Sequence, residues 1–282
     1  MVELQNGRLV LSGGPRFAEL RLNAWHHESW HELELERLAD GYGAGARQSR
    51  ARLRLSARGS ALEYELSLEA ERPARVQLRL SVPGVTGRFH IIPGVIFGDN
   101  NLAHAEPGHL PNLTAQHPGK VSCSTYWEFR ADRASHPVSI LCFDGGVVAV
   151  SIDPYSDDAS GTVGGDTGFI RNGVFAQLGH GGQPDACGVT LGYRNEPCTF
   201  LNKDEWRPAT EHQATRATTH GRIFMLRAES RLDAHRVIRQ VYDGLRETPE
   251  APISLGESAK ALEHAFLTVN WHEDREHFTN MR

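Results

Sequence analysis

The chain of 282 residues lacks any run approaching the ~18 consecutive apolar residues of a membrane-crossing helix. Its first residues, MVELQNGRLVLSGG, lack the basic stretch and apolar core of a secretory leader. No membrane partner is therefore expected, and the cytoplasm is the expected location. There is no excess of basic charge: 30 Lys and Arg stand against 35 Asp and Glu, a formal net charge of −5. Binding a phosphate backbone requires clustered cations, so a nucleic-acid partner is not expected. Cysteine is scarce. Cys123, Cys142, Cys187 and Cys198 lie far apart with no CxxC pair, which argues against a zinc site. Cys187 and Cys198 have a spacing that fits facing positions across a hairpin, but free thiols are the expectation in a reducing compartment. No GxSxG elbow is present, and no Ser or Cys stands in a context that marks a nucleophile. Neither cofactor nor metal is implied.

What is present in abundance is period-two alternation, the mark of a strand with two unlike faces. Leu53 and Leu55 alternate with Arg52 and Arg54. Leu62, Tyr64, Leu66 and Leu68 alternate with Glu63, Glu65 and Ser67, and Val76, Leu78, Leu80 and Val82 with Gln77, Arg79 and Ser81. The short turns ARGS and ERPA separate these runs, which read as an antiparallel meander with one wet face. Arg50, Arg52 and Arg54 are assigned to that exposed face. Further strands are expected over 2–11, 16–24, 87–92, 120–131, 137–143, 146–152, 187–194 and 217–229. Asp144-Gly145 between two continuously apolar runs is a hairpin signal, and the runs themselves imply burial on both faces. The expected class is mainly β: a large antiparallel two-sheet supersandwich followed by one or two C-terminal α-helices.

The helices come late. Residues 230–247 carry an apolar stripe of Ala234, Val237, Ile238, Val241 and Leu245 behind capping-box positions Ser230 and Asp233. After a Pro-containing link, Ser254 and Glu257 repeat the cap, and Ala261, Leu262, Ala265, Phe266 and Val269 repeat the stripe. Three domain segments follow: a β-domain over 1–229, a linker helix and connection over 230–253, and 254–282 as the first helix of an α-helical domain. That last stripe has nothing after it to pack on, so the remainder of such a domain is expected in a longer polypeptide.

Three stretches do not read as strands: 93–118, 153–168 and 195–216. Long irregular segments inside a compact domain are commonly binding loops. They hold Asp99, Asp157, Asp158, Asp204 and Glu205, acidic groups of the type glycoside hydrolysis uses in pairs, although Asp in loops also serves turn formation. Trp127, Tyr155 and Trp206 are candidates to stack on a pyranose, with Asn100, Asn101, Asn112 and Asn202 to bond hydroxyls. Trp206, set in KDEWRP, is the hardest to place in a core. Trp127 and Phe129 alternate with Tyr126 and Glu128, which leaves a core role open for them. The glycines 161, 164, 165 and 168 form a loop tip rather than a phosphate loop, since no Lys-Ser or Lys-Thr follows. His26, His27 and His31 would present i, i+4 ligands only on a helix; beside Trp25 and Trp30 the plainer reading is an exposed or interfacial aromatic cluster.

The meander at 51–82, the segment VPG…IPGVIFGDNN, the strand YWEFR at 126–130, the run GYRNEPCTFLNKDEW and the helix after HGRIFMLRAES give a recognisable layout. The chain resembles the N-terminal β-supersandwich, galactose-mutarotase-like, of bacterial six-hairpin glycosidase-like proteins, in which a sandwich precedes an (α/α)6 barrel. The resemblance implies a carbohydrate partner and a glycoside-hydrolase setting. It also implies catalytic carboxylates on the helical domain, so that this chain alone is expected to be inactive and no catalytic residue is assigned. Asp99, Asn100, Asn101, Trp127, Tyr155, Asp204, Glu205 and Trp206 are then the expected sugar-binding contributions. A non-catalytic carbohydrate-binding or scaffolding module and a mutarotase-like epimerase are the alternatives. The epimerase requires a His and a carboxylate at one sugar ring, with His90, His104, His180 and His220 available.

Overall fold

A computed structural model describes residues 2–14, 16–26, 29–46, 48–85, 88–97, 126–164, 169–179, 183–194, 211–245, 254–264, 271–272 and 277–278. The chain forms two compact units, Met1–Gly244 and Leu245–Arg282. The first is mainly β, built from two antiparallel sheets, as the alternation and the turn signals predict.

The strands of the first unit run in chain order. They begin β1 (Val2–Gln5), β2 (Arg8–Leu11), β3 (Ala18–His26), β4 (Ser29–Leu33), β5 (Leu35–Leu38) and β6 (Gly41–Ala46). Next come β7 (Ser49–Arg58), β8 (Ala61–Ala74), β9 (Val76–Ser81), β10 (Phe89–Ile92), β11 (Ile96–Phe97) and β12 (Tyr126–Arg130). Then follow β13 (Val138–Phe143), β14 (Gly146–Ile152), β15 (Tyr155–Ser156), β16 (Ile170–Arg171), β17 (Gly173–Gln177) and β18 (Ala186–Leu191). The last are β19 (Tyr193–Arg194), β20 (Glu211–His212) and β21 (Ala214–Arg227). Sheet one has the order β1-β2-β3-β9-β18-β17-β12, with β4 also paired to β3. Sheet two has the order β11-β10-β13-β14-β21-β8-β7-β6-β5.

Between the sheets lies one apolar core. Leu20, Leu22, Leu78, Leu80, Trp127, Val174 and Val189 supply it from sheet one; Leu53, Leu66, Leu68, Leu141, Val148 and Val150 supply it from sheet two. Each fully buried Leu or Val contributes about 1.5–3 kcal/mol relative to exposure, which makes this core the main stabilising term. The Asp144-Gly145 hairpin joins β13 and β14 in the expected register, Phe143 opposite Gly146. Both strands are buried along their whole length. Their second face is covered by helix α1 (Ala234–Leu245), whose Ala234, Val237 and Val241 meet Val138, Ile140, Cys142, Val147 and Ala149. Asp233 caps that helix by accepting the Ser230 and Glu229 N–H groups. Arg50, Arg52 and Arg54 are exposed, and Arg54 pairs with Glu65 across the ladder at 2.7 Å and with Asp40 at 2.6 Å.

Two expectations change. The stretch 2–11 is a hairpin rather than one strand, because Asn6 and Gly7 take φ of 49° and 73°. Asn-Gly with both residues at positive φ is the tight turn whose twist matches paired strands. The meander also breaks after its second run. β7 and β8 pair in sheet two, but β9 crosses into sheet one between β3 and β18. Its Gln77, Arg79 and Ser81 are buried, so the third run has no wet face. His26 ends β3 and His31 lies in β4, with Trp25 opposite Trp30 in the ladder; His27 lies outside the described residues.

The second unit holds α2 (Leu255–His264) and a short ladder of β22 (Trp271–His272) with β23 (His277–Phe278). The predicted capping box is reciprocal. Glu257 accepts from the Ser254 N–H at 3.0 Å, and Ser254 Oγ accepts from the Glu257 N–H at 3.2 Å. The helix is described over Leu255–His264, and Ala265, Phe266 and Val269 of the expected stripe lie outside the described residues.

Candidate binding groove

The outer face of sheet one is the unusual surface of the sandwich, because it is polar and yet largely buried. The cross-strand registers place Glu32, Asn23, Gln77 and Thr190 in one row, and Arg21, Arg79, Gly188, Phe175 and Glu128 in the next. Over these rows lies a groove of about 400 Å³ lined by Trp25, Trp30, Glu32, Arg75, Gln77, Arg79, Tyr126, Glu128 and their polar neighbours.

Arg75 and Glu128 form its base. Arg75, the one residue between β8 and β9, is 1% exposed, and Glu128 is 0% exposed. The Arg75 guanidinium carbon lies 4.8 Å from the ring centres of both Trp25 and Trp30, which meet each other edge to face at 5.1 Å. A cation among aromatic rings is stabilised by their quadrupoles, by up to about 2 kcal/mol when water is excluded. Arg75 Nη1 donates to Glu128 Oε1 and Oε2 at 3.0 and 3.2 Å. Glu128 also accepts from the Tyr126 hydroxyl at 2.9 Å, Thr190 Oγ1 at 2.8 Å and the Arg194 N–H at 3.1 Å. A carboxylate offers about four lone-pair positions. Those of Glu128 are taken by these donors, so it anchors the groove.

The remaining polar groups are ordered in turn. Gln77 donates to the Tyr126 hydroxyl at 3.2 Å and accepts from Asn23 at 2.6 Å. Tyr126 stacks on Phe175 at 5.3 Å, and burial, with the Glu128 charge next to it, pushes its phenol well above the usual range. Phase-matched on the neighbouring strand, Gly188 leaves room for that Phe175 ring: a Cβ at 188 would stand 2.5 Å from it and 2.2 Å from the Leu78 carbonyl. Glu32 pairs with Arg8 and with Arg21, the latter at 3.1 Å. Burial alone would raise its carboxyl, but these two arginines hold it below the ordinary carboxylate range. Arg79 spans to Gln183 Oε1 at 3.1 Å and the Pro184 carbonyl at 3.0 Å.

Asp185 fixes that last segment. Its Oδ1 accepts from Arg88 at 2.8 Å and the Gly179 N–H at 2.6 Å, and its Oδ2 lies 3.4 Å from His90 Nε2. Burial pushes the carboxyl up, but His90, the Gly179 N–H and Arg88 together set it below its ordinary value. A depressed folded-state value means stability that is complete above the unfolded value of about 4 and is lost as the pH falls through the folded one. Asp185→Asn is therefore expected to flatten the acid limb of a stability-against-pH profile measured by urea unfolding, and to lower stability at neutral pH. A mutant profile parallel to wild type below pH ~4 would reject this role.

Six of the eight residues expected to bind sugar, Asp99, Asn100, Asn101, Asp204, Glu205 and Trp206, lie outside the described residues, as do Asn112 and Asn202. The other two are not brought together. Trp127 is 1% exposed and belongs to the core between the sheets, so neither ring face is open to stack on a ligand. Tyr155 is 43% exposed on the β15–β16 ladder, where its hydroxyl donates to Asp132 at 3.0 Å, and it does not line the groove. Asp158 accepts from the Thr218 N–H at 2.8 Å and serves its loop. Of the histidines, His220 is exposed near Glu65 and Asp153, and His90 is buried beside Asp185; neither lines the groove. Cys142 and Cys187 are buried and form no disulfide, and burial raises the Cys187 thiol far above its normal value. Cys198 is outside the described residues. No helix of the described residues is long and apolar enough to cross a membrane.

The groove residues were visible one by one but not as a group. Trp25 and Trp30 stood out as an aromatic pair, and Tyr126 and Glu128 as the alternate face of YWEFR. What was hidden is the crossover at Arg75 that sets β9 between them. No protein-family model matches the chain, and no curated protein matches it.

Proposed function

We propose that the outer face of sheet one binds carbohydrate, and that the chain is the sandwich portion of a carbohydrate-active protein of glycoside-hydrolase type. One observation carries the reading: two half-exposed tryptophans sit beside a dense array of ordered amide, guanidinium and phenol groups in one concave groove. A sugar presents an apolar C–H face and a ring of hydroxyls. Indole rings match the first, and fixed donors and acceptors match the second. The resemblance of the sequence to the β-supersandwich of six-hairpin glycosidase-like proteins supports the same reading.

The chemistry of the described groove favours binding over turnover. Glu128 is saturated by its donors and Glu32 by two arginines, so neither carboxylate is set up as a general acid or base. No histidine lines the groove, which leaves the epimerase reading without its acid–base pair among the described residues. Calorimetric titration with a panel of neutral and acidic oligosaccharides tests the proposal. Saturable binding is expected, weakened about tenfold by Trp30→Ala, the size of one aromatic contact of about 1.5 kcal/mol. Heatless titrations across the panel, or equal affinity in Trp30→Ala, would count against it.

A further inference from the structure

The charges in the groove are not all paired. Among the described residues four charged side chains line it: Glu32, Arg75, Arg79 and Glu128. Arg75 and Glu128 pair with each other, and Glu32 pairs with Arg8 and Arg21. Arg79 alone among them has no carboxylate within ion-pair distance among the described residues. It is 5% exposed, its Nη1 and Nη2 reach only the neutral oxygens of Gln183 and Pro184, and its Nε is buried without a partner. Its cross-strand neighbour Arg21 is a cation too, and Arg21 takes the nearby carboxylates for itself, Glu19 at 2.6 Å and Glu32 at 3.1 Å.

A guanidinium does not deprotonate in a protein, so this cation stays charged although taken out of water. Burying a charge without a counter-ion is costly. The cost is maintained here by Asp185, which pins the Gln183–Asp185 segment that receives Arg79. A strut between β9 and that segment has no need of a charge, and a neutral amide would donate to the same two oxygens. The charge gains a purpose if the missing anion arrives with the ligand.

We infer that the groove selects acidic carbohydrates, with Arg79 as the counter-ion for an anionic substituent on a sugar held against Trp25 and Trp30. This rests on the carbohydrate reading above and narrows it to a class: uronic acids or sugars esterified with sulfate or phosphate. A carboxylate is the better match, since a planar fork suits a guanidinium. An ion pair of this kind also makes the interaction dependent on ionic strength.

The test is calorimetric titration of the full chain at low and at moderate salt, with four probes: galactose oligosaccharides, galacturonate oligosaccharides, and sulfated and phosphorylated galactose oligosaccharides. The expected result is that galacturonate oligosaccharides bind about tenfold or more tightly than the neutral ones, with the preference shrinking as salt is raised. Arg79→Gln brings the ratio of acidic to neutral affinity close to one, while Arg79→Lys keeps a preference. Thermal unfolding of both variants checks that the sandwich is intact. A sulfate or phosphate preference exceeding the carboxylate one supports the inference and corrects only the geometry. Neutral and acidic sugars bound equally well would overturn it while leaving the carbohydrate reading standing. A preference that survives Arg79→Gln unchanged would overturn it too. If no sugar binds at all, the groove reading fails and takes this inference with it.

Discussion

Arg75→Met is expected to lower the stability of the sandwich by about 3–5 kcal/mol, measured by urea unfolding, although Met fills much of the same space. The reason is what remains. Glu128 is fully buried, and removal of Arg75 leaves a carboxylate with neutral donors only. The gap between Trp25 and Trp30 also loses its cation. Replacing both partners, Arg75→Met with Glu128→Met, is expected to lose less than Arg75→Met alone, because the stranded charge is gone. A single-variant loss below about 1 kcal/mol would mean that water reaches Glu128 and that the groove is not the dry, ordered site described here.

Gly188→Val is the second large effect. Position 188 lies mid-strand in β18, where any Cβ meets the Leu78 carbonyl at 2.2 Å and the Phe175 ring at 2.5 Å. The first of these is backbone and cannot turn away. Overpacking of this kind costs about 1–3 kcal/mol and more when main chain must move. The expected outcome is a drop of several degrees in thermal midpoint together with loss of the Tyr126–Phe175 stack. The double variant Gly188→Val, Phe175→Ala relieves the ring but not the carbonyl, and is expected to remain destabilised. Wild-type stability in Gly188→Val would contradict the register of β9 with β18.

The β class, the β13–β14 hairpin and both helix caps were legible because each depends on neighbours in sequence: a two-residue turn, a period of two, a cap three residues from its partner. The fold was misread where a distant event decides the outcome. Val76 to Val82 alternate as any half-exposed strand does, and nothing local reports that the chain changes sheets at Arg75. That crossover buries Gln77, Arg79 and Ser81, and places the first two in the lining of a groove. The site was hidden for the same reason. Loop chemistry points to Asp99, Asp204 and Trp206, whereas the described groove is made mostly from residues of β3, β4, β9, β12 and β17. Trp127 illustrates the limit of composition. A tryptophan in a polar-looking strand is as fit for the core as for a ligand, and only the phase of YWEFR, read against the neighbouring β17, separates it from Tyr126 and Glu128.

The central claim, that carbohydrate is held on the outer face of sheet one against Trp25 and Trp30, is tested most directly by the indole N–H resonances during titration with oligosaccharide. Trp25 and Trp30 line the groove, while Trp127 is sealed in the core and serves as the internal control. Saturable shifts of the Trp25 and Trp30 signals, with that of Trp127 unmoved, are the predicted result. Binding that shifts other signals while leaving these two in place would contradict it.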